Sequence, residues 1–341
     1  MLDERKERIL RAVIDDYIVS AEPVASRTLA RKHDLGVKAA TIRNEMADLE
    51  MLGYLEHLHT SSGRIPSAKG YRFYVDGLIP PKPVSDDEKA LIEKWYAARV
   101  RRIEEIFRET AKLIAKVTHN VSLVLVPQVT QAAFRCLQFL PLDERRSIAV
   151  LMTDAGFMEN KIFDMPSGST FEDFQRLAAV INRALTGKTL SAIHSGELKK
   201  VRDEIADEKL YSAARELIRR ALDDTKQERL YLGGTSAMVE QPEFRDAKKI
   251  KDILVMLEEE ELIKDILRSH ISDGLRVTIG QENGDSRISD CSIITAAYHL
   301  NGELLGTIAV LGPTRMEYAK AMSLLEYMNT NLANMIKRFS W

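Results

Sequence analysis

The chain has 341 residues. At about 150 residues per domain this predicts two or three domains, with a core large enough to need no disulfide or metal staple. Hydrophobic residues make up 45% and charged residues 29%, which excludes global disorder. Cys136 and Cys291 lie far apart with no CxxC spacing, which excludes a disulfide scaffold or zinc ribbon and suits a reducing cytoplasm. The opening stretch, MLDERKERIL, is charged where a signal peptide is apolar, and no run approaches the ~20 apolar residues of a membrane span. The net charge of −2 gives no hint of a nucleic-acid partner, but it hides a strong local asymmetry.

The first 80 residues read as short helices followed by a hairpin. From about Asp3 to Val19, Ile9, Leu10, Val13, Ile14, Tyr17 and Ile18 recur at helical spacing, and Asp3 and Glu4 favour the N-terminus through the dipole. Glu22-Pro23 breaks the chain before a short helix, about Ala25 to Lys32, that buries Leu29; Asp34-Leu35-Gly36 is a turn. A third helix, about Ala39 to Leu52, ends at Gly53, the left-handed terminator. Its inner face is Ile42, Met46 and Leu49; Ala40, Arg43, Asn44, Ala47 and Asp48 fall opposite. Tyr54 to Leu58 alternates like a strand, residues 59–66 turn and return, and Ser67 caps a helix through Val75. Pro80-Pro81-Lys82-Pro83 is stiff and helix-incompatible, a domain boundary.

Beyond the linker the pattern predicts one long helix from about Asp86 to Thr118. Strands follow at Val121–Val126, Phe134–Leu140, Ile148–Met152 and Phe157–Asp164. A helical block includes Phe171–Leu185 and Tyr211–Leu222. Strand signal returns at Leu230–Gly233. A helix from about Ala247 to Leu267 precedes strands at Leu275–Gly280, Ser292–His299 and Leu304–Leu311, the last two joined through the turn dipeptide Asn301-Gly302. A final helix runs from about Met316 to Phe339. The class is α+β, an antiparallel sheet interrupted by an insertion.

No catalytic constellation stands out, so an enzyme is not expected. His57 and His59 flank Leu58, but no carboxylate or cysteine stands at metal-ligand spacing; polar residues of an exposed hairpin are the simpler reading. Gly233-Gly234-Thr235-Ser236 follows an apolar strand without the Gly-Lys-Ser/Thr ending of a phosphate loop, and reads as a strand-ending turn. The run Glu258 to Glu261 reads as a solvated helix face, and Cys136 and Cys291 as small buried side chains. No cofactor or metal is expected.

The N-terminal charges are sorted. From Val24 to Asn44, Arg27, Arg31, Lys32, Lys38 and Arg43 face Asp34 alone; from His57 to Val75, Arg64, Lys69 and Arg72 have no acid among them. The acids sit on the first helix and late in the third. Cations on the second helix, the start of the third and the hairpin mark the DNA face of a winged helix-turn-helix. Short Ala40 and Thr41 let the third helix enter the ~12 Å major groove, where Arg43 can pair with guanine and Asn44 with adenine. The expected DNA-binding set is Lys38, Ala40, Thr41, Arg43 and Asn44 on the recognition helix. Ser26, Arg27, Thr28, His59, Thr60, Ser61, Arg64, Lys69 and Arg72 complete it from the second helix and wing. Arg64 is expected to reach phosphate or the minor groove. The alternative is a winged helix used only for protein contacts.

The stretch Glu22-Pro23-Val24 through Arg27-Thr28-Leu29, then Ala40 through Glu50, closely resembles the HrcA heat-inducible transcription repressors. So do Leu52-Gly53-Tyr54-Leu55, His59-Thr60-Ser61, Gly63-Arg64-Ile65-Pro66 and Lys69 through Asp76; the rest of the chain matches in length and layout. The resemblance implies a winged helix-turn-helix over residues 1–83. It also implies a discontinuous GAF-like domain over 84–140 and 229–341, with an inserted α+β dimerising domain at 141–228. It further implies a homodimer that represses chaperone operons at an inverted repeat on double-stranded DNA, with the chaperonin keeping the repressor active, and no membrane partner. Lys38-Ala39 stand where Ser-Pro is common in the family, Leu58 replaces a frequent proline and Ala25 a common glycine; these bear on turn and wing geometry. Two competing classes remain: a regulator whose GAF-like pocket binds a small molecule, for which no convergent polar set is evident, and an enzyme with a DNA-binding appendage.

Overall fold

A computed structural model describes residues 2–57, 63–79, 82–100, 103–126, 133–143, 145–154, 158–166, 168–193, 228–271, 274–300 and 303–339. Eight helical residues between 202 and 219 are also described. Helix α1 (Glu4–Ser20) starts at Asp3, whose carboxylate accepts from the Lys6 N–H, and buries the expected stripe from Ile9 to Ile18, with Tyr17 half-exposed. Helices α2 (Ser26–Lys32) and α3 (Ala39–Met51) follow. Gly53, at φ 77°, ends α3: its N–H bonds the Glu50 carbonyl and the Tyr54 N–H returns to Leu49. Strands β1 (Leu55–Glu56) and β2 (Ile65–Pro66) pair antiparallel. Ser67 caps α4 (Ala68–Phe73), which widens into a π-turn over Tyr74–Leu78.

The helix expected across 86–118 is two, α5 (Asp86–Arg99) and α6 (Ile103–Thr118). No proline or glycine marks the break at Val100. Folding back is what satisfies buried polar groups: the Trp95 indole donates to Glu109 at 3.0 Å, and the Tyr96 hydroxyl lies 2.5 Å from that of Thr110. In one straight helix those residues would lie about 20 Å apart.

Strands β3 (Val121–Val126), β7 (Arg229–Gly233), β8 (Leu275–Ile279), β9 (Cys291–Leu300) and β10 (Glu303–Pro313) form an antiparallel sheet ordered β7-β3-β10-β9-β8. Both faces are covered, so β3 is buried along its whole length and reads as a continuous apolar run. Val124, Ile294, Ile308 and Val310 face α6 and the final helix α11 (Tyr318–Phe339); Leu123, Ile293, Ala309 and Leu311 face α9 (Ala247–Glu258) and α10 (Glu260–Ser269). The helix expected over 247–267 thus bends at Glu259, letting Ile253 and Met256 on one segment and Ile263 and Leu267 on the next reach the same sheet face.

Residues 127–228 lie between the paired strands β3 and β7. Within them β4 (Phe134–Pro141), β5 (Arg146–Thr153) and β6 (Met158–Asp164) form a separate antiparallel sheet on α7 (Phe171–Leu185), with its own core of Leu137, Phe139, Leu151, Phe174 and Ile181. Strand β4 therefore pairs with β5 and not with the five-stranded sheet, so the second sheet begins before residue 141, the boundary expected from sequence. The turn dipeptide Asn301-Gly302 and much of the helical block expected over 211–222 lie outside the described residues.

The Gly233-Gly234 pair is a packing device. A Cβ at Gly233 would sit 2.5 Å from the Ala111 carbonyl oxygen; Gly234, at φ 74°, precedes the short helix α8 (Thr235–Val239), and a Cβ there would sit 2.5 Å from that of Ala115 in α6. Cys291 is buried, its thiol pushed up to about 12 chiefly by desolvation; Cys136 is only half-buried. Among the described residues, no three His, Cys, Asp or Glu side chains are grouped to hold a metal ion, and no helix is long and apolar enough to cross a membrane.

Candidate nucleic-acid interface

Three elements of the N-terminal unit converge on an open groove lined by Ala25, Ser26, Arg27, Arg43, Met46, His57 and Arg64. Because Ile42, Met46 and Leu49 are fully buried against α1 and α2, the 100° step between helix positions turns Arg43 and Asn44 outward. Arg27, Lys38, Ala40, Arg43 and Asn44 are exposed, and Ser26, Thr28 and Thr41 half-buried. Arg27, Lys38, Arg43 and Asn44 make no ion pair or side-chain hydrogen bond with the described residues. Helices α2 and α3 begin at Ala25 and Lys38 without a side-chain cap, leaving first-turn N–H groups for an external acceptor.

The acids are drawn elsewhere. Lys6 of α1 holds Glu45 at 2.7 Å and Asp48 at 3.3 Å, and these bonds, Glu45 first, raise the Lys6 pKa well above its ordinary value. Asp16 pairs with Lys32 and His33 at 3.3 and 3.2 Å. The face around Arg43 is cationic because its acids are turned toward α1.

Not all the expected residues join this face. His59, Thr60 and Ser61 lie outside the described residues. Arg64 stands at the hairpin base with its Nε donating to Glu50 at 2.6 Å, and Lys69 donates to the Leu52 carbonyl at 2.8 Å. Arg72 is elsewhere altogether: its guanidinium bonds Glu282, the Val277 carbonyl at 2.7 Å and Asp76 at 3.2 Å, tying α4 to the five-stranded sheet. Basic residues outside the expected set also line this region. His57 borders the groove, and Arg31 lines a second depression with Lys32, His33 and Lys38. Arg31 was visible as one more cation in the acid-poor stretch; only the fold places His57.

The bond from Arg72 to Glu282 belongs to a packed junction. Tyr71 lies on Tyr318 with centroids 5.9 Å apart, and Arg315 donates to the Ile18 carbonyl at 2.9 Å. Burial raises the Glu282 carboxyl, but the Arg72 hydrogen bond and the Ile279 N–H outweigh it and hold the group below its ordinary 4.5. A depressed carboxyl stabilises the fold above its unfolded pKa and loses that contribution as pH falls through its folded pKa. Glu282→Gln should therefore weaken this junction at neutral pH, and the difference from wild type should fade below 4.5. Thermal unfolding of both proteins across that range checks it. A difference that persists in acid would show that the charge is not responsible.

The family described as "HrcA protein C terminal domain" matches residues 104–322. The heat-inducible transcription repressor HrcA of Desulfitobacterium hafniense is 43% identical over 338 residues, 98% of each chain. That of Pelotomaculum thermopropionicum is 40% identical over 99% of this chain and 97% of its own. A solved structure described as a hypothetical protein, 21% identical, superposes over 99% of both chains with a TM-score of 0.69 and shares the fold. The family match and the near full-length identity agree with the motifs around α3: this chain belongs to the HrcA family of heat-inducible transcription repressors.

Proposed function

We propose that α1 to α4 with the β1–β2 hairpin form a winged helix-turn-helix whose α3 reads DNA in the major groove. The chain would act as a homodimer at an inverted repeat, repressing chaperone operons under the influence of the chaperonin. The observation that carries this reading is the charge sorting. Arg27, Lys38, Arg43 and Asn44 stand exposed and unpaired among the described residues, while Glu45 and Asp48 are neutralised by Lys6. In this assignment Arg43 and Asn44 read base edges, and Arg27, Lys38 and the uncapped helix starts hold phosphates. The five-stranded sheet with its helices is the GAF-like domain, and the β4–β6 sheet with α7 belongs to the inserted dimerising domain. The relatives' name, heat-inducible transcription repressor, supports the regulatory role.

The phosphate assignment has a direct test. Removing one cation that neutralises a phosphate makes the slope of log affinity against log salt shallower by about 0.9. Arg27→Ala and Lys38→Ala should each weaken binding to all sequences alike and produce that change once for every protomer bound. An unchanged slope would remove these side chains from the phosphate set.

A further inference from the structure

Helix α3 is gripped by cations from outside itself. Lys6 holds its middle through Glu45 and Asp48. At its C-terminal end Arg64 Nε donates to Glu50 Oε2 at 2.6 Å, and Lys69 Nζ donates to the Leu52 carbonyl while lying 4.5 Å from the Tyr54 ring centroid. Arg64 is itself fixed. Its backbone exchanges two hydrogen bonds with Val24, at 2.9 and 3.0 Å. Preceding Gly63 packs so closely that a Cβ there would sit 2.7 Å from the Pro23 carbonyl. The guanidinium is thus delivered by a tightly packed hairpin base, and its side chain is 21% exposed. A phosphate taken by Nε would break the bond to Glu50, and one taken by the Nη groups would sit beside the Glu50 carboxylate that Nε holds, so Glu50 opposes a phosphate contact either way.

We infer that Arg64 is a positioning residue that sets the tilt of α3 through Glu50, so that Arg43 and Asn44 meet the base edges. Lys69 supports the same end from the Leu52 carbonyl. This deepens the reading of α3 as the base-reading helix and rests on it.

The experiment uses the full chain and two probes: a duplex selected by the wild-type protein from a randomised pool, and a shuffled duplex of the same composition. Removing Glu50 gives opposite signs under the two roles. If Arg64 positions α3, Glu50→Ala and Arg64→Ala each lower the selected-to-shuffled affinity ratio roughly tenfold, and the double variant loses no more than either single one. If Arg64 grips phosphate, Glu50→Ala frees it and tightens binding to both duplexes. Arg64→Ala then makes the salt slope shallower by about 0.9 per phosphate released with the ratio intact, and the inference falls. The exchanged pair Glu50→Arg with Arg64→Glu guards against a variant that fails to fold. A recovered ratio supports positioning, and a folded protein with the ratio still low overturns it. A wild-type protein that selects no sequence defeats the base-reading assignment instead, which keeps the two failures apart.

Discussion

Arg43→Ala should lower discrimination between operator and scrambled DNA by about 1–3 kcal/mol, the worth of one bidentate arginine–guanine pair. The side chain is exposed on α3, with no partner among the described residues. Its removal empties no cavity and leaves no buried group unsatisfied, so thermal stability should stay within about 0.5 kcal/mol of wild type. Affinities on both DNAs at several salt concentrations, with a melting curve, separate the two quantities. Equal losses on both DNAs, with the specificity ratio unchanged, would mean that α3 does not read bases.

The opposite face of the same helix should respond in the opposite way. Leu49 is fully buried in the core that also holds Ile9, Leu10, Val13 and Leu29, and its carbonyl accepts the Tyr54 N–H that closes the helix end. Leu49→Ala should cost about 2–5 kcal/mol, the transfer free energy of the missing methyl groups plus the cavity they leave. The destabilisation should appear as an early unfolding transition that also abolishes DNA binding. Arg43 and Leu49 lie on one helix, so the contrast maps directly onto which side of α3 is packed. A protein that melts like wild type after Leu49→Ala would show that α3 is not docked as described.

Local patterns were readable; partners distant in sequence were not. The 3.6-residue recurrence in α1 and α3, the acids Asp3 and Glu4 at the start of α1, Ser67 as a cap and Gly53 as terminator all state their structure in neighbouring residues. The breaks at Val100 and Glu259 carry no proline or glycine, because they are set by what each segment must bury. Similarly, β4 has the alternation of any half-buried strand, and nothing in it names its partner; only the short connection to β5 pointed there. The residues expected to bind DNA divide on the same principle. Arg27, Lys38, Arg43 and Asn44 were legible as unpaired cations and a polar side chain opposite an apolar stripe. Arg64, Lys69 and Arg72 looked identical in sequence, but their partners stand 14, 17 and 210 residues away.

Footprinting of the full-length protein on the promoters of the source genome's chaperone operons tests the central proposal most directly. Two protected half-sites related by two-fold symmetry, centred about one helical turn or a multiple of it apart, are expected of a dimer presenting two copies of α3. That protection should disappear with Arg43→Ala at concentrations where the wild type is fully bound. Uniform, salt-sensitive coverage of these promoters and of unrelated DNA alike would contradict it.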